Sequence, residues 1–208
     1  MGYVFGTGRG MEGGMDALNA DMEHTDEDFR DLILENPSLE NREFFDCQFH
    51  HCTFSGGSLS GALFDGCRFH GTTLSLTRLD RAQLRGVTFQ DCKLLGLDFS
   101  QLDGLGMELE FLGCRIQSCT FSGLDLKGTV MRDCEIIESD FVSTNLEESD
   151  LRDSDFSGTL FQDTHLVKAD LRGAINYAIH PLNNRVKGAR FSLPEALGLL
   201  SGLGVRVD

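Results

Sequence analysis

The chain has 208 residues, enough for one domain with a substantial core, and 40% of them are apolar, an ordinary share for a water-soluble fold. The formal net charge of -15 at pH 7 argues against nonspecific binding to nucleic acid or to an anionic membrane, and for plain solubility or a basic partner. No run approaches the ~18 apolar residues of a transmembrane helix, no apolar leader opens the chain, and seven cysteines without framework spacing suit a reducing, cytoplasmic setting.

Residues 1–25 are Gly-rich and acidic with no period, and are expected to be disordered or vector-derived. Phe29, Leu34 and Leu39 then mark a spacing of five, but the residues two before each are Glu27, Leu32 and Pro37, so a first coil here should be irregular.

From Phe44 the spacing is strict. Stepping by five gives Phe44, Phe49, Phe54, Leu59, Phe64, Phe69, Leu74, Leu79, Leu84, Phe89, Leu94 and Phe99, all Phe or Leu. Two residues before each stands a mostly small one, among them Cys47, Cys52, Ala62, Cys67, Thr72, Ala82 and Cys92. The remaining positions are mainly polar or Gly. A period of five fits neither a helix nor a simple strand. One large and one small inward residue per five fit a chain that turns a corner once per pentad. Four corners close a square coil of about 20 residues, and stacked coils hydrogen-bond at the ~4.8 Å strand spacing. Such an interior has no room for Trp, and the chain has none.

The next step lands on Gly104. Residues 100–110 break the period and return it shifted by two, which requires a bulge or loop; Asp103, Gly104, Leu105, Gly106, Met107 and Glu108 form a candidate contact loop. The period resumes at Phe111 and runs through Ile116, Phe121, Leu126, Met131, Ile136, Phe141, Leu146, Leu151, Phe156, Phe161, Leu166 and Leu171. All seven cysteines of the chain fall in the small column.

After Ala174 the character changes, and residues 176–208 read as a cap. Ser192 and Glu195 have the spacing of a capping box, and Leu193, Ala196, Leu197 and Leu200 follow a helical stripe. Val205 and Val207 alternate as in a short strand. The helix should cover the last coil, and Leu193, Leu197, Leu199, Leu200, Leu203 and Val205 are the candidate surface for a second copy.

The repeat domain is placed at 26–175, and from residue 44 to about 175 it resembles the pentapeptide-repeat family, as in Ala169-Asp170-Leu171-Arg172-Gly173 and Ser149-Asp150-Leu151-Arg152-Asp153. The resemblance implies an all-β fold, the right-handed quadrilateral β-helix. The tail (Asn176-Tyr177, then Asn184 to Ala196) and Cys92 to Phe99 are similar to the Qnr-type quinolone-resistance and albicidin-resistance members. That subgroup implies homodimers joined through C-terminal helices and acidic, DNA-mimicking surfaces that bind DNA gyrase or topoisomerase IV in place of DNA. The alternative is a scaffold or regulatory adaptor that holds another protein on one flat side.

Charge supports the first reading. Residues 133–170 hold eleven acids against Arg152 and Lys168, a net of -9. Glu135, Asp140, Glu147, Glu148, Asp150, Asp153, Asp155 and Asp170 form the candidate acidic face. A coil of about 20 residues stacks Glu135 under Asp155 and Asp150 under Asp170. No catalytic constellation emerges. Cys47, His50, His51 and Cys52 have metal-ligand composition, but the register points both cysteines inward and both histidines outward. Flat sides offer no deep cleft. The chain is therefore expected to be no enzyme, to need no cofactor or metal, and to bind neither nucleic acid nor a small-molecule substrate directly.

Overall fold

The computed structural model describes residues 3–5, 18 and 21–205, in two compact units, Met1–Glu110 and Phe111–Asp208. Each unit is a right-handed, four-sided parallel β-solenoid whose strands are two to four residues long.

In the first unit three sides form ladders. One holds β1 (Tyr3–Phe5), β3 (Asp28–Arg30), β6 (Gln48–His50), β9 (Arg68–His70) and β12 (Val87–Gln90). The next holds β4 (Ile33–Glu35), β7 (Thr53–Ser55), β10 (Thr73–Ser75) and β13 (Lys93–Leu95). Another holds β2 (Glu23–Thr25), β5 (Glu43–Phe45), β8 (Leu63–Asp65) and β11 (Gln83–Arg85). The side through Leu39, Leu59 and Leu79 keeps only isolated bridges, such as Ser38 to Ser58.

The register steps by 20 residues. Phe44 pairs with Phe64, Phe49 with Phe69 and Phe54 with Leu74. Like rings therefore stack along the axis. Phe29, Phe49, Phe69 and Phe89 have successive centroid separations of 5.0, 4.6 and 5.0 Å, the spacing of the strands themselves. Where leucines replace phenylalanines a small cavity of about 10 Å³ remains, lined by Leu59, Leu74, Leu79 and Leu84 among others.

The first coil begins earlier than expected. His24 stands one step of five before Phe29 and is 2% exposed. Its ring stacks on Phe44 at 5.0 Å, while Nδ1 faces Glu27 Oε1 at 3.2 Å and Nε2 faces the Leu18 carbonyl at 3.3 Å. A histidine can occupy the large column because its ring N–H finds an acceptor there, Glu27 or the Leu18 carbonyl according to the tautomer. Residues 3–5 and 23–25 are strands, so the expectation of disorder over 1–25 is corrected there. The rest of that expectation, apart from residues 18, 21 and 22, lies outside the described residues.

The second unit repeats the plan. Its elements are β14 (Leu109–Leu112), β15 (Arg115–Gln117), β16 (Val130–Arg132), β17 (Glu135–Ile137), β18 (Leu160–Phe161), β19 (Asp170–Leu171), β20 (Ala178–Ile179) and β21 (Arg190–Phe191). Ile116 pairs with Ile136, and Asp125, Asn145, His165 and Arg185 follow one another in register. The solenoid does not stop at 175. Ile179 pairs with Phe161 and Phe191 with Leu171. Asn184, 6% exposed, takes a small-column place by donating to the Phe161 carbonyl and accepting from the Thr164 amide.

Two features hold the corners and walls. One residue per pentad has positive φ, including Asp46 (52°), Gly61 (69°), Leu76 (53°) and Asp153 (59°). This left-handed step turns the chain, and it favours Gly, Asn and Asp. The small column is also more than filler. Its hydroxyls and thiols donate to the carbonyl of the large residue 23 positions earlier, as Thr72 does to Phe49 (3.0 Å) and Thr159 to Ile136 (2.7 Å).

The C-terminal helix is shorter than expected. The helix α1 spans Leu197–Ser201, and Ala196 at its start makes no side-chain cap. The Ser192 hydroxyl is instead taken by the Gly173 amide at 3.1 Å, so the capping box does not form. Val205 is not in a strand; its amide donates to the Leu200 carbonyl at 3.1 Å. Val207 lies outside the described residues.

Candidate interaction surfaces

A pentad sends the chain to a new side every five residues, so only residues 20 apart share a side. The eight carboxylates proposed as one face therefore separate. Glu135 and Asp155 lie on the Ile136 side, Asp140 on the Phe141 side, Glu147 on the Leu146 side with Glu148 at its corner, and Asp150 and Asp170 on the Leu151 side with Asp153 at its corner.

Cations within the 133–170 segment and from the coils before and after it neutralise half of them. Asp150 takes a two-pronged contact from Arg152 (2.8 and 2.7 Å) and lies 3.4 Å from Arg132 Nε. Asp170 does the same with Arg172 and lies 3.5 Å from Arg190. Lys168 donates to Glu148 (2.6 Å) and Lys127 to Glu147 (3.3 Å). The hydrogen bonds from Arg152 and Arg172 hold the Asp150 and Asp170 carboxyls below the usual range, despite partial burial. The segment's own count of -9 includes Arg152 and Lys168 but missed Lys127, Arg132, Arg172 and Arg190. Over the whole unit fourteen acids face ten bases, a net of -4.

What survives is narrower and continuous. Asp133 and Asp153 at one corner, Glu135 and Asp155 on the Ile136 side, Glu138 at the next corner and Asp140 beyond it form a single acidic strip. Among the described residues only Glu135 of these six has a cation within salt-bridge distance, Arg115 at 2.8 Å. At Asp155 burial raises the carboxyl pKa, but hydrogen bonds from Ser157 and Asn176 outweigh it and the net shift is down. Asp133 and Glu138 were absent from the sequence-derived face; their place one pentad apart at successive corners was the available signal.

The interruption is a short loop. Asp103 N still makes the wall bond to Ala82 O (2.9 Å), and the chain returns with Val87 N donating to Glu108 O (2.9 Å). Leu102 and Leu109 are buried at its two ends, and Leu105 at the tip is 68% exposed. Asp103 braces it, accepting from Leu105 N (3.1 Å) and Gln83 Nε2 (3.1 Å). At the C-terminus Leu193, Leu197, Leu203 and Val205 are exposed, whereas Leu199 and Leu200 are partly covered.

His50 of β6, His51 just after it and His70 of β9 cluster on the outside, with the His50 and His51 ring centroids 6.0 and 5.5 Å from that of His70. His50 Nε2 is 3.5 Å from Asp28 Oδ1, and burial, then Arg30, lowers the His50 pKa. Among the described residues no three His, Cys, Asp or Glu side chains are arranged to hold a metal ion, and no helix is long and apolar enough to cross a membrane.

Family comparison agrees with the geometry. The model described as "Pentapeptide repeat region" matches residues 42–110, and the one described as "Pentapeptide repeats (8 copies)" matches residues 139–175. The chain belongs to the pentapeptide-repeat family. No curated protein matches it by sequence. Among solved structures, trypsin-treated QnrB1, a plasmid-mediated fluoroquinolone resistance protein, aligns with 89% of this chain and 99% of its own, at 19% identity and a TM-score of 0.57. HetL, a pentapeptide-repeat protein involved in heterocyst differentiation regulation in the cyanobacterium Nostoc sp. strain PCC 7120, aligns with 82% of this chain and 88% of its own, at 16% identity and a TM-score of 0.37. The likeness to QnrB1 is one of fold.

Proposed function

We propose that this pentapeptide-repeat chain is a cytoplasmic, non-enzymatic binding protein whose acidic strip occupies the DNA-binding surface of a type II topoisomerase, DNA gyrase or topoisomerase IV, as a homodimer joined at its C-terminal segments. The observation that carries the proposal is the strip from Asp133 to Asp140 with Asp153 and Asp155, where carboxylates repeat at the strand spacing with Arg115 as the one described cation. In-register anions ~4.8 Å apart repel and gain from a basic groove. The fold shared with a fluoroquinolone resistance protein, and the resemblance of Asn184 to Ala196 to the Qnr-type ending, supply the partner class. The loop at Asp103 to Glu108, with Leu105 at its tip, is the secondary contact.

The test is supercoiling by gyrase with and without a fluoroquinolone. Inhibition or drug protection that weakens steeply between 0.05 and about 0.3 M salt is expected, because the interaction relies on long-range charge. Reversal of Asp140, Asp153 and Asp155 to Lys should abolish it. Neither inhibition nor protection at micromolar protein would reject the topoisomerase reading.

A second reading, the adaptor, is favoured by one surface of the first unit. Thr53, Ser55, Thr73 and Ser75 project from β7 and β10 without a charge, between Glu35 of β4 and Lys93 of β13, and Leu76 at their corner is 74% exposed. An uncharged centre with one apolar knob and charges at its rim suits a protein interface. In that case the acidic reversals leave partner capture intact and Leu76→Asp removes it.

A further inference from the structure

The second unit also carries an opposite patch. Between the two acids Asp163 and Glu195 stand Lys168, Arg172, Arg185, Lys187 and Arg190 against Asp170 alone, five bases to one acid. The coil brings them together. His165 is in register with Arg185, Asp170 with Arg190, and the Lys168 amide donates to the Lys187 carbonyl at 3.0 Å. Asp170 is shared by Arg172 and Arg190, and Lys168 is met by Glu148. Arg185 and Lys187 are exposed and meet no carboxylate among the described residues. So many cations gathered around one shared aspartate, on a chain of net charge -15, call for an anionic partner.

That partner is present in the chain itself. Residues 21–46 hold ten acids and two bases, a net of -8. The first coil displays them on successive sides. Asp26, Asp31, Glu35, Glu40 and Asp46 are exposed and join no ion pair among the described residues. We infer that the basic patch around Arg185 and Lys187 docks the acidic first coil of a second copy, in a heterologous contact that can propagate from copy to copy.

Spacing favours this occupant over nucleic acid. Asp26 and Asp46 stand at one corner one coil apart, ~4.8 Å, and the cations of the patch lie on two successive coils, so these carboxylates and cations can meet rung for rung. Phosphates of duplex DNA rise ~3.4 Å per strand and do not keep that register. The overall charge opposes association at long range. At ~0.1 M salt the screening length is about 10 Å, which suppresses repulsion between distant parts of two copies while leaving contacts at the patch. At 1 M it falls to about 3 Å and the patch contact is screened as well.

The contact uses neither the acidic strip proposed for topoisomerase nor the C-terminal leucines, and is tested without either. Two variants are made, Arg185→Glu with Lys187→Glu, and Glu35→Lys with Glu40→Lys. All four positions are exposed, so the coil should be kept, and circular dichroism checks that. Sedimentation velocity at 0.1 M salt should show wild type extending beyond a dimer with rising concentration, and reverting at 1 M. Each variant alone should lose this extension. Mixed, they should bind one another roughly tenfold more tightly than either binds itself, because one keeps the acidic coil and the other the basic patch. A wild-type mass that is the same at 0.1 and 1 M salt, or a mixture no tighter than its components, would overturn the inference. So would a labelled DNA duplex that binds wild type, loses binding in the Arg185→Glu, Lys187→Glu variant, and finds no pairing in the mixture; nucleic acid would then be the occupant. A C-terminal dimer is unchanged in both variants and cannot produce the difference.

Discussion

The Thr144 hydroxyl donates to the Phe121 carbonyl at 2.9 Å, reaching from the small column of one coil to the backbone behind the large column of the coil before it. Thr72, Ser154, Thr159 and Thr164 repeat the contact on Phe49, Met131, Ile136 and Phe141. Coils are thus joined inside the wall as well as along the strands. Thr144 is buried, so Thr144→Val removes a donor without changing shape and leaves a desolvated carbonyl. A loss of about 1–2 kcal/mol in urea unfolding is expected, with Thr144→Ser close to wild type. Equal stability of the Val and Ser variants would show that the column needs only small volume.

The corners give a second prediction. Gly173 has φ 74°, and a Cβ there would stand 2.0 Å from Asp153 Oδ1 on the coil before. Gly123 has φ 75° with nothing within 4 Å of the same position. Both alanine variants carry the left-handed penalty of roughly 1–2 kcal/mol, and only Gly173→Ala adds a clash with a neighbouring coil. Gly173→Ala should therefore be the less stable of the two, and Gly173→Ala with Asp153→Ala should recover part of the difference. Urea midpoints for the three proteins decide it.

The inward columns were legible because a period of five repeated over two long runs leaves little freedom. The left-handed corner was not recognised, although Asp46, Gly61 and Asp153 stand at the same step of their pentads, because Leu76, Arg81 and Lys168 break any single residue pattern there. His24 and Asn184 were missed because each is a polar residue in an inward place, made tolerable only by partners the fold supplies. The acidic face was misjudged for a different reason. Counting charge along 133–170 treats neighbours in sequence as neighbours in space, whereas Arg115, Lys127, Arg132, Arg172 and Arg190 approach from adjoining coils.

Cysteine chemistry follows from the same inward placement. All seven thiols are buried and free of disulfides, and burial pushes Cys52 up to about 11. The thiolate of Cys52 is therefore scarce at neutral pH, and burial shields all seven sulfurs from reagent. A thiol reagent should label none of the seven in the native protein within minutes, and all seven in denaturant. Rapid native labelling at Cys52 would mean that the wall opens there.

Acid should weaken the fold in two steps. The Arg152 and Arg172 contacts lower the pKa values of Asp150 and Asp170, so their stabilisation is present above the ordinary carboxylate value of ~3.9 and is lost as pH falls through the lowered ones. Burial and Arg30 lower that of His50, so the neutral ring is favoured and stability starts to fall once pH drops below ~6.5. Urea midpoints should decline modestly from pH 7 to 5 and more steeply below 4. His50→Gln should flatten the first decline and Asp170→Asn the second. A His50→Gln profile parallel to wild type from pH 7 to 5 would assign that decline to other groups.

The C-terminal surface gives the last prediction. Leu193 is 75% exposed, Leu197 40%, Leu203 48% and Val205 48%, in one short segment around α1. Apolar side chains gathered at this density on a surface are costly unless covered, and a two-fold axis lets one such patch cover its copy. Leu199 and Leu200 are partly covered within the chain, so Leu200→Asp risks damage to the cap itself. Leu197→Asp places the charge on the exposed part. It should convert a dimer to a monomer by light scattering at high salt, where the charge-driven contact is screened, with an unchanged unfolding midpoint at low protein concentration. A wild-type protein that is already monomeric under those conditions would reject the homodimer, and a Leu197→Asp protein that stays dimeric would place its surface away from this segment.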